Sequence, residues 1–297
     1  MKTIKFLFVA AIVAGLTMSC EDNELMELIN SHTPDPGMSS DTIHNPAYSD
    51  TTQNPVNSDT TQNPVFTDTV QNPTFTDPIQ NFTYVSGTGE IASQTVNLAN
   101  FTEVELKKIG EVEVLSGSEY KVEISDYENL LPYAKVYMEG ERLIISYDSV
   151  QVMGSKLKIS ITIPDQLSKV VLSGSGNIFV NSGFVSDKVH LIVSGSGNIS
   201  ASGVNSQNVD IVMSGAGKIE AKGKTENFTL EVSGSATIQC KELISNNADC
   251  DLRGVSTVFV SVEDKLKVNA FVVGSLTYYG SPILEVEKGL LFSLIKG

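Results

Sequence analysis

Val170-Val171-Leu172-Ser173-Gly174-Ser175-Gly176-Asn177-Ile178-Phe179-Val180 is the stretch that decides how this chain folds, because it recurs. One period on it reads Leu191-Ile192-Val193-Ser194-Gly195-Ser196-Gly197-Asn198-Ile199-Ser200-Ala201. A further period on it reads Ile211-Val212-Met213-Ser214-Gly215-Ala216-Gly217-Lys218-Ile219-Glu220-Ala221. Fainter copies surround Gly234, Gly254 and Gly274, so that the glycines from Gly174 onward stand 21, 20, 19, 20 and 20 residues apart. A period of this size marks stacked structural repeats rather than one mixed globular core.

Aligned on these glycines, the columns alternate. Two residues before each stand Leu172, Val193, Met213, Val232, Leu252 and Val272; four before stand Val170, Leu191, Ile211, Leu230, Cys250 and Ala270. Four after stand Ile178, Ile199, Ile219, Ile238, Val258 and Tyr278; six after stand Val180, Ala201, Ala221, Cys240, Val260 and Gly280. The columns between them are more polar. Period 2 means strands with one buried face, and no stretch holds a 3.6-residue period for more than two turns. The glycine is expected at the corner between strands, where a positive φ is tolerated.

The fold class expected is all-β, a parallel β-helix or solenoid with rungs of about 20 residues. Twenty residues at about 3.3 Å each make a circuit of roughly 66 Å, enough for three short sides. An antiparallel sandwich also has short alternating strands, but matching columns at a fixed period favour the solenoid. Polar stretches such as Ser182–Lys188 form the third side or loops. Residues 85–165 alternate less regularly and read as the N-terminal half of the solenoid or a cap on it, with Leu130, Leu131 and Pro132 in a loop that packs down. The apolar run Leu290–Ile295 is suited to covering the other end. An outward apolar column, Val171, Ile192 and Val212, calls for a cover from residues 85–165 or from a partner. Cys240 and Cys250 fall on inner columns on different sides of the rung, and are expected as free, buried thiols.

Val85-Ser86-Gly87-Thr88-Gly89-Glu90-Ile91, then FTEVEL from Phe101, SGSEYKVEISDYENLLPYAKV from Ser116, and KISITIPDQLSKVVLSGSGNI ending at Ile178 together resemble the head GIN domain family of auto-transporter adhesins. The resemblance covers about residues 85–297. The family's Gly-Ile-Asn character stands here as Gly176-Asn177-Ile178 and Gly197-Asn198-Ile199, and in later rungs Lys218, Thr237, Thr257 and Thr277 replace the asparagine. The resemblance implies a β-helical surface or secreted protein, and brings no catalytic residues.

The N-terminus sets the location. Lys2 and Lys5 precede an apolar run, Phe6–Gly15, too short to span a bilayer and shaped like a signal peptide. Leu16-Thr17-Met18-Ser19-Cys20 resembles a bacterial lipoprotein cleavage box, with Cys20 the acylated first residue, so residues 1–19 are the signal. Glu21, Asp22 and Glu24 loosely resemble acidic tags that route lipoproteins to the outer surface in one Gram-negative phylum. Residues 20–84 are the stalk. Within them a nine-residue repeat, SDTTQNPVN and its variants, brings Pro46, Pro55, Pro64 and Pro73 into register with almost nothing apolar to bury. Fully extended, the 45 repeat residues reach about 140 Å. Asp-Thr-x triplets place Thr42, Thr51, Thr60 and Thr69 in a pattern that resembles an O-glycosylation sequon of the same phylum. Asp148-Ser149-Val150 also matches but lies in the folded region.

Acidic residues outnumber basic ones 35 to 20, a net charge of −15, and Arg142 and Arg253 are the only arginines. Such a surface is soluble and a poor partner for nucleic acid. His32, His44 and His190 have no metal spacing, and no cofactor or metal is expected. The Ser/Gly turns lack the lysine and helix of a phosphate loop. Carbohydrate-cleaving β-helices use clustered carboxylates; the candidates here are Asp210, Asp249 and Asp251 with Glu231 and Arg253 nearby, read first as a solvated ion-paired face. Phe259 and Tyr279, placed in one outward column, and Phe271 on another side are the candidate binding aromatics. The reading is a lipid-anchored envelope protein, outer-membrane and surface-exposed or periplasm-facing, whose head serves adhesion or binds a glycan or surface protein. The alternatives are a carbohydrate-active enzyme and a structural envelope component without ligand.

Overall fold

The computed structural model describes residues 83–148, 150–164, 167–181 and 184–297, with Phe184 and Val185 as backbone only. Cys20, Thr42, Thr51, Thr60 and Thr69, with the rest of residues 1–82, lie outside these residues, whereas Thr83 and Tyr84, assigned above to the stalk, belong to the strand Thr83–Ser86, paired with Val150–Met153. Among the described residues every regular element is a strand except the single 3-10 turn Leu131–Tyr133.

The chain is a β-solenoid with three-sided rungs. Strand Lys188–Val193 makes side A of one rung, and a Ser-Gly corner leads to Ser196–Met213. That long strand holds side B (Ser196–Ala201), then a register break between Ala201 and Val204, then a short side C and the next side A, through Met213. Each rung pairs in parallel with the next. Val170, Leu191, Ile211, Leu230 and Cys250 align on side A, and Ile178, Ile199, Ile219, Ile238 and Val258 on side B. All ten are buried. The alternation seen in the sequence is therefore the inside/outside pattern of the sheets, and each buried aliphatic contributes roughly 1.5–3 kcal/mol.

The corner glycines serve a purpose other than the one expected. Gly195 has no left-handed backbone; a Cβ there would overlap the carbonyl oxygen of Gly174 on the rung below, so the column exists because backbones stack too closely for any side chain. The positive φ belongs two residues later, at Gly176, Gly197 and Gly217 (φ 145°, 144° and 143°). Gly274 joins that second column: it pairs with Ser256, and Leu276 pairs with Val258. The shift arises in the preceding rung, where the register slips between Cys240 and Ile244 and again between Ser245 and Asn247, so that Leu252 pairs with Ala270 and the last rung is displaced by two residues from the glycine alignment. Tyr278 therefore stands in the Val260 column, and Tyr279 pairs with Ser261 rather than lying beside Phe259, which pairs with Thr277. Parity survives a shift of two, so inside and outside are unchanged.

Residues 83–164 are both solenoid and cap, and spatial order departs from chain order. Strands Glu103–Leu106 and Ile109–Ser116 form the rung directly below Lys169–Leu172 and Ser175–Val180. Arg142–Tyr147 and Lys158–Ile163, later in sequence, lie one rung below that. Antiparallel strands then end the stack, Ala134–Glu139 on side A, and Lys121–Tyr127 followed by Ile91–Val96 on side B. Leu130 is fully buried, as the packed-down loop requires, and the Phe101 and Tyr120 rings meet at 5.0 Å. The outer column Val171, Ile192, Val212 runs on through Glu105, Ile144 and Tyr137 in the same sheet; Val171, Glu105 and Ile144 are buried on this outward face, and Tyr137 is exposed.

At the far end, Ile283–Lys288 and Phe292–Lys296 form a final rung. Phe292 is buried, but Leu290, Leu291 and Ile295 are exposed, so the apolar run builds the end rung rather than covering it. Cys240 and Cys250 are free and buried. Desolvation pushes both thiols up, Cys240 to about 12, where they pack as small apolar groups.

Candidate functional site

The three aromatics singled out from the sequence are not brought together. Phe259 is half-buried on side B. Tyr279 lies on the neighbouring outward column of the next rung, its ring covered by the Lys241 ammonium at 4.2 Å from the centroid. Phe271 is 69% exposed at the corner between sides A and B, close to Gly289 of the final rung. No shared platform joins the three.

Three of the four candidate acids of side A are held in ion pairs. Asp249 takes Lys267 at 2.9 Å, Asp251 takes Arg253 through two guanidinium nitrogens, and Asp210 faces Lys188 at 2.8 Å and His190 at 3.4 Å. The hydrogen bonds that Arg253 donates to Asp251 raise the Arg253 pKa. Burial lowers that of His190, with Asp210 opposing. Asp210 and Asp249 are separated by Thr229 on the intervening rung, whereas Glu231 and Asp251 are direct neighbours. Paired in this way, Asp210, Asp249 and Asp251 fit a solvated sheet face, on which Glu231 is exposed. Among the described residues no group of three or more His, Cys, Asp or Glu is arranged to hold a metal ion.

Two clusters escaped the sequence reading. The first is buried in the cap. Asp126 accepts hydrogen bonds from the Tyr147 hydroxyl, Ser155 Oγ (2.9 Å), and the backbone N–H groups of Lys156 (2.7 Å) and Tyr127 (2.8 Å). Desolvation and then the Asp126 bond push the Tyr147 hydroxyl well above its usual range. A fully buried carboxylate with four donors ties the antiparallel strand to the loop after Tyr147, because an unmet charge there costs several kcal/mol. No local motif announces it, since its partners come from three segments.

The second cluster lies on the surface where side C turns into side A. A groove of about 320 Å³ crosses three rungs there, lined by Asp187, Asn205, Gln207, Lys224 and Glu226 with Ser186, Ser206 and Thr225. Asn205 stacks on Lys224, and Asn208 on Asn227, which places Gln207 and Glu226 in the corner between them. Beside the groove, Asn208, Asn227 and Asn247 form an amide ladder, each side chain bonded to the next at 3.2 and 3.3 Å. The hydroxyls of Ser206 and Thr225 donate to backbone carbonyls and fix the turn. The sequence signal was present, as a polar segment at the same place in consecutive rungs, but its residue types vary from rung to rung.

With this geometry in view, residues 100–282 match the family model described as "Putative auto-transporter adhesin, head GIN domain". Among solved structures, a putative adhesin from Bacteroides fragilis superposes with a TM-score of 0.59 at 21% identity, covering 71% of this chain and 96% of that one. A putative adhesin from Parabacteroides distasonis gives 0.56 at 20%, covering 72% and 100%. One from Parabacteroides merdae gives 0.52 at 18%, covering 72% and 99%. At these identities the likeness is one of fold. Among curated proteins none matches.

Proposed function

The chain belongs to the head GIN domain family of adhesins, and from that premise we propose that it is a lipid-anchored envelope protein whose solenoid head binds a glycan or surface protein during adhesion. The observation that carries this reading is the family match, which spans nearly the whole solenoid. The sequence supports the rest. The short apolar segment before Cys20 fits acylation at that residue, and the Asp-Thr repeats fit a glycosylated stalk carrying Thr42, Thr51, Thr60 and Thr69. Two acyl chains hold a protein at a bilayer far more firmly than one, and an extended stalk lifts the head clear of it. The stacked sheets supply a continuous face of outward side chains, as adhesion requires, and on side A Asp210, Asp249 and Asp251 are already paired within the protein.

The test is adherence. Cells displaying the full chain should adhere to glycan- or protein-coated surfaces more than cells displaying the chain cut after residue 84. Equal adherence refutes the adhesive role. Release of reducing ends from a polysaccharide by the purified chain would replace it with the enzymatic one.

A further inference from the structure

We infer that the groove across Asp187, Asn205, Gln207, Lys224 and Glu226 is the glycan-binding site of the head, and that its ligand is a neutral oligosaccharide rich in vicinal hydroxyls. This rests on the adhesive reading above and gives it a site and a ligand class.

The argument starts from charge pairing. In three other grooves of the solenoid the clustered charges are mostly paired within the protein, with Glu231 beside Asp251 the exception. On side B a groove of the same volume holds Glu111, Glu123 and Lys158. There Lys158 pairs with Glu111 at 3.2 Å, and Lys121 with Glu123 at 2.7 Å. The groove around Asp249 contains its ion pair with Lys267, and the one around Asp251 its pair with Arg253. In the C-to-A groove, by contrast, the side chains of Asp187, Lys224 and Glu226 make no ion pair or hydrogen bond among the described residues, and neither do the amides of Asn205 and Gln207.

Five uncommitted polar groups in one depression are therefore free to bond a ligand. Their chemistry selects it. A carboxylate accepts from two adjacent hydroxyls at once, and a carboxamide both donates and accepts. These are the groups that match the edge of a pyranose ring. Two carboxylates against one lysine leave the groove net negative on a chain of charge −15, which disfavours uronic, sialic or sulfated sugars.

Geometry sets the footprint. Lys188 pairs with Asn208 and Asn208 with Asn227, so Asp187, Gln207 and Glu226 succeed one another up three adjacent rungs. At about 4.8 Å per rung the two carboxylates stand about 10 Å apart. The volume of 320 Å³ sits at the low end of small-ligand sites. Both measures fit a short oligosaccharide lying along the solenoid axis. The wall is already ordered, because the Ser206 and Thr225 hydroxyls hold the turns and the Asn208, Asn227, Asn247 ladder holds the adjoining edge. A preformed wall spends little of the binding energy on ordering itself.

The test applies the full-length chain to a printed array of neutral, N-acetylated and uronic-acid oligosaccharides. Neutral oligosaccharides should bind, and the double variant Asp187→Asn, Glu226→Gln should weaken that binding at least tenfold without moving the melting temperature. The matched variant Glu111→Gln, Glu123→Gln on side B should bind as the parent does. Retained affinity in the groove variant overturns the site while leaving glycan adhesion standing. Preference for uronic-acid glycans overturns the ligand class. Adherence of displaying cells to a protein surface, with no array binding, overturns the glycan assignment but not the adhesive role.

Discussion

Replacing Ile199 by alanine tests the register of the whole solenoid. Ile199 is 1% exposed and stacked between Ile178 and Ile219, themselves fully buried. Its neighbours are backbone-paired strands that cannot close over a void, so the loss lies within the roughly 2–5 kcal/mol seen for truncating a buried isoleucine to alanine. For a domain of this size each kcal/mol moves the melting temperature by about 2–4 °C, giving a drop of about 4–20 °C. The paired measurement is Asn198→Ala, one residue away. Asn198 faces solvent, and its Nδ2 donates to Asn177 Oδ1 at 2.8 Å. Losing one exposed amide bond costs about 1 kcal/mol or less. Thermal unfolding followed by far-ultraviolet circular dichroism separates the two. A register off by one residue exchanges the two side chains between core and surface, so equal shifts, or a larger one for Asn198→Ala, would refute the inside/outside assignment.

Other outcomes follow from the same geometry. Gly195→Ala should abolish soluble expression or lower the melting temperature more than Ile199→Ala, since its Cβ would overlap the Gly174 carbonyl; a melting curve like the parent's would show that the rungs can part. Cys240 and Cys250 should resist alkylation in the folded chain at mildly alkaline pH, because both thiols are buried and shifted upward, and both should label once denatured; fewer than two labelled sites on the denatured, unreduced head would indicate a disulfide. Tyr147→Phe removes one donor from the buried Asp126 carboxylate and should lower the urea midpoint by the equivalent of about 1.5–3 kcal/mol; an unchanged midpoint would mean the network adds nothing. Cys20→Ser should leave an unprocessed precursor or a soluble form, and intact masses of residues 21–84 should differ between the native host and one lacking O-glycosylation. Unchanged detergent partition, or identical masses, would remove the respective assignment.

The repeat core was legible because two periods coincide. Alternation of Leu191, Val193, Ile199 and Ala201 with polar neighbours specifies which side chains face inward, and the recurrence after about 20 residues specifies what stacks on what. The last corner was misread because the error kept parity. Aligning Gly274 with Gly254 rather than with Ser256 leaves every apolar residue inward, so hydrophobic pattern cannot detect it, whereas backbone pairing can. It was this shift that put Phe259 and Tyr279 in one column when they occupy two.

The cap and the groove depended on tertiary structure for another reason. Which rung Glu103–Leu106 joins, with Arg142–Tyr147 below it and Lys169–Leu172 above, depends on pairings between segments far apart in the chain. Three of the four donors on Asp126, from Tyr147, Ser155 and Lys156, come from distant segments too. Asp187, Gln207 and Glu226 share no motif, and only stacking puts them in one groove. Sequence by itself determined what repeats locally: strand, inward face and rung length. Tertiary structure decided which charges find partners and which are left open to a ligand, because charge pairing depends on distance in space, which a repeat pattern sets only where every rung is alike.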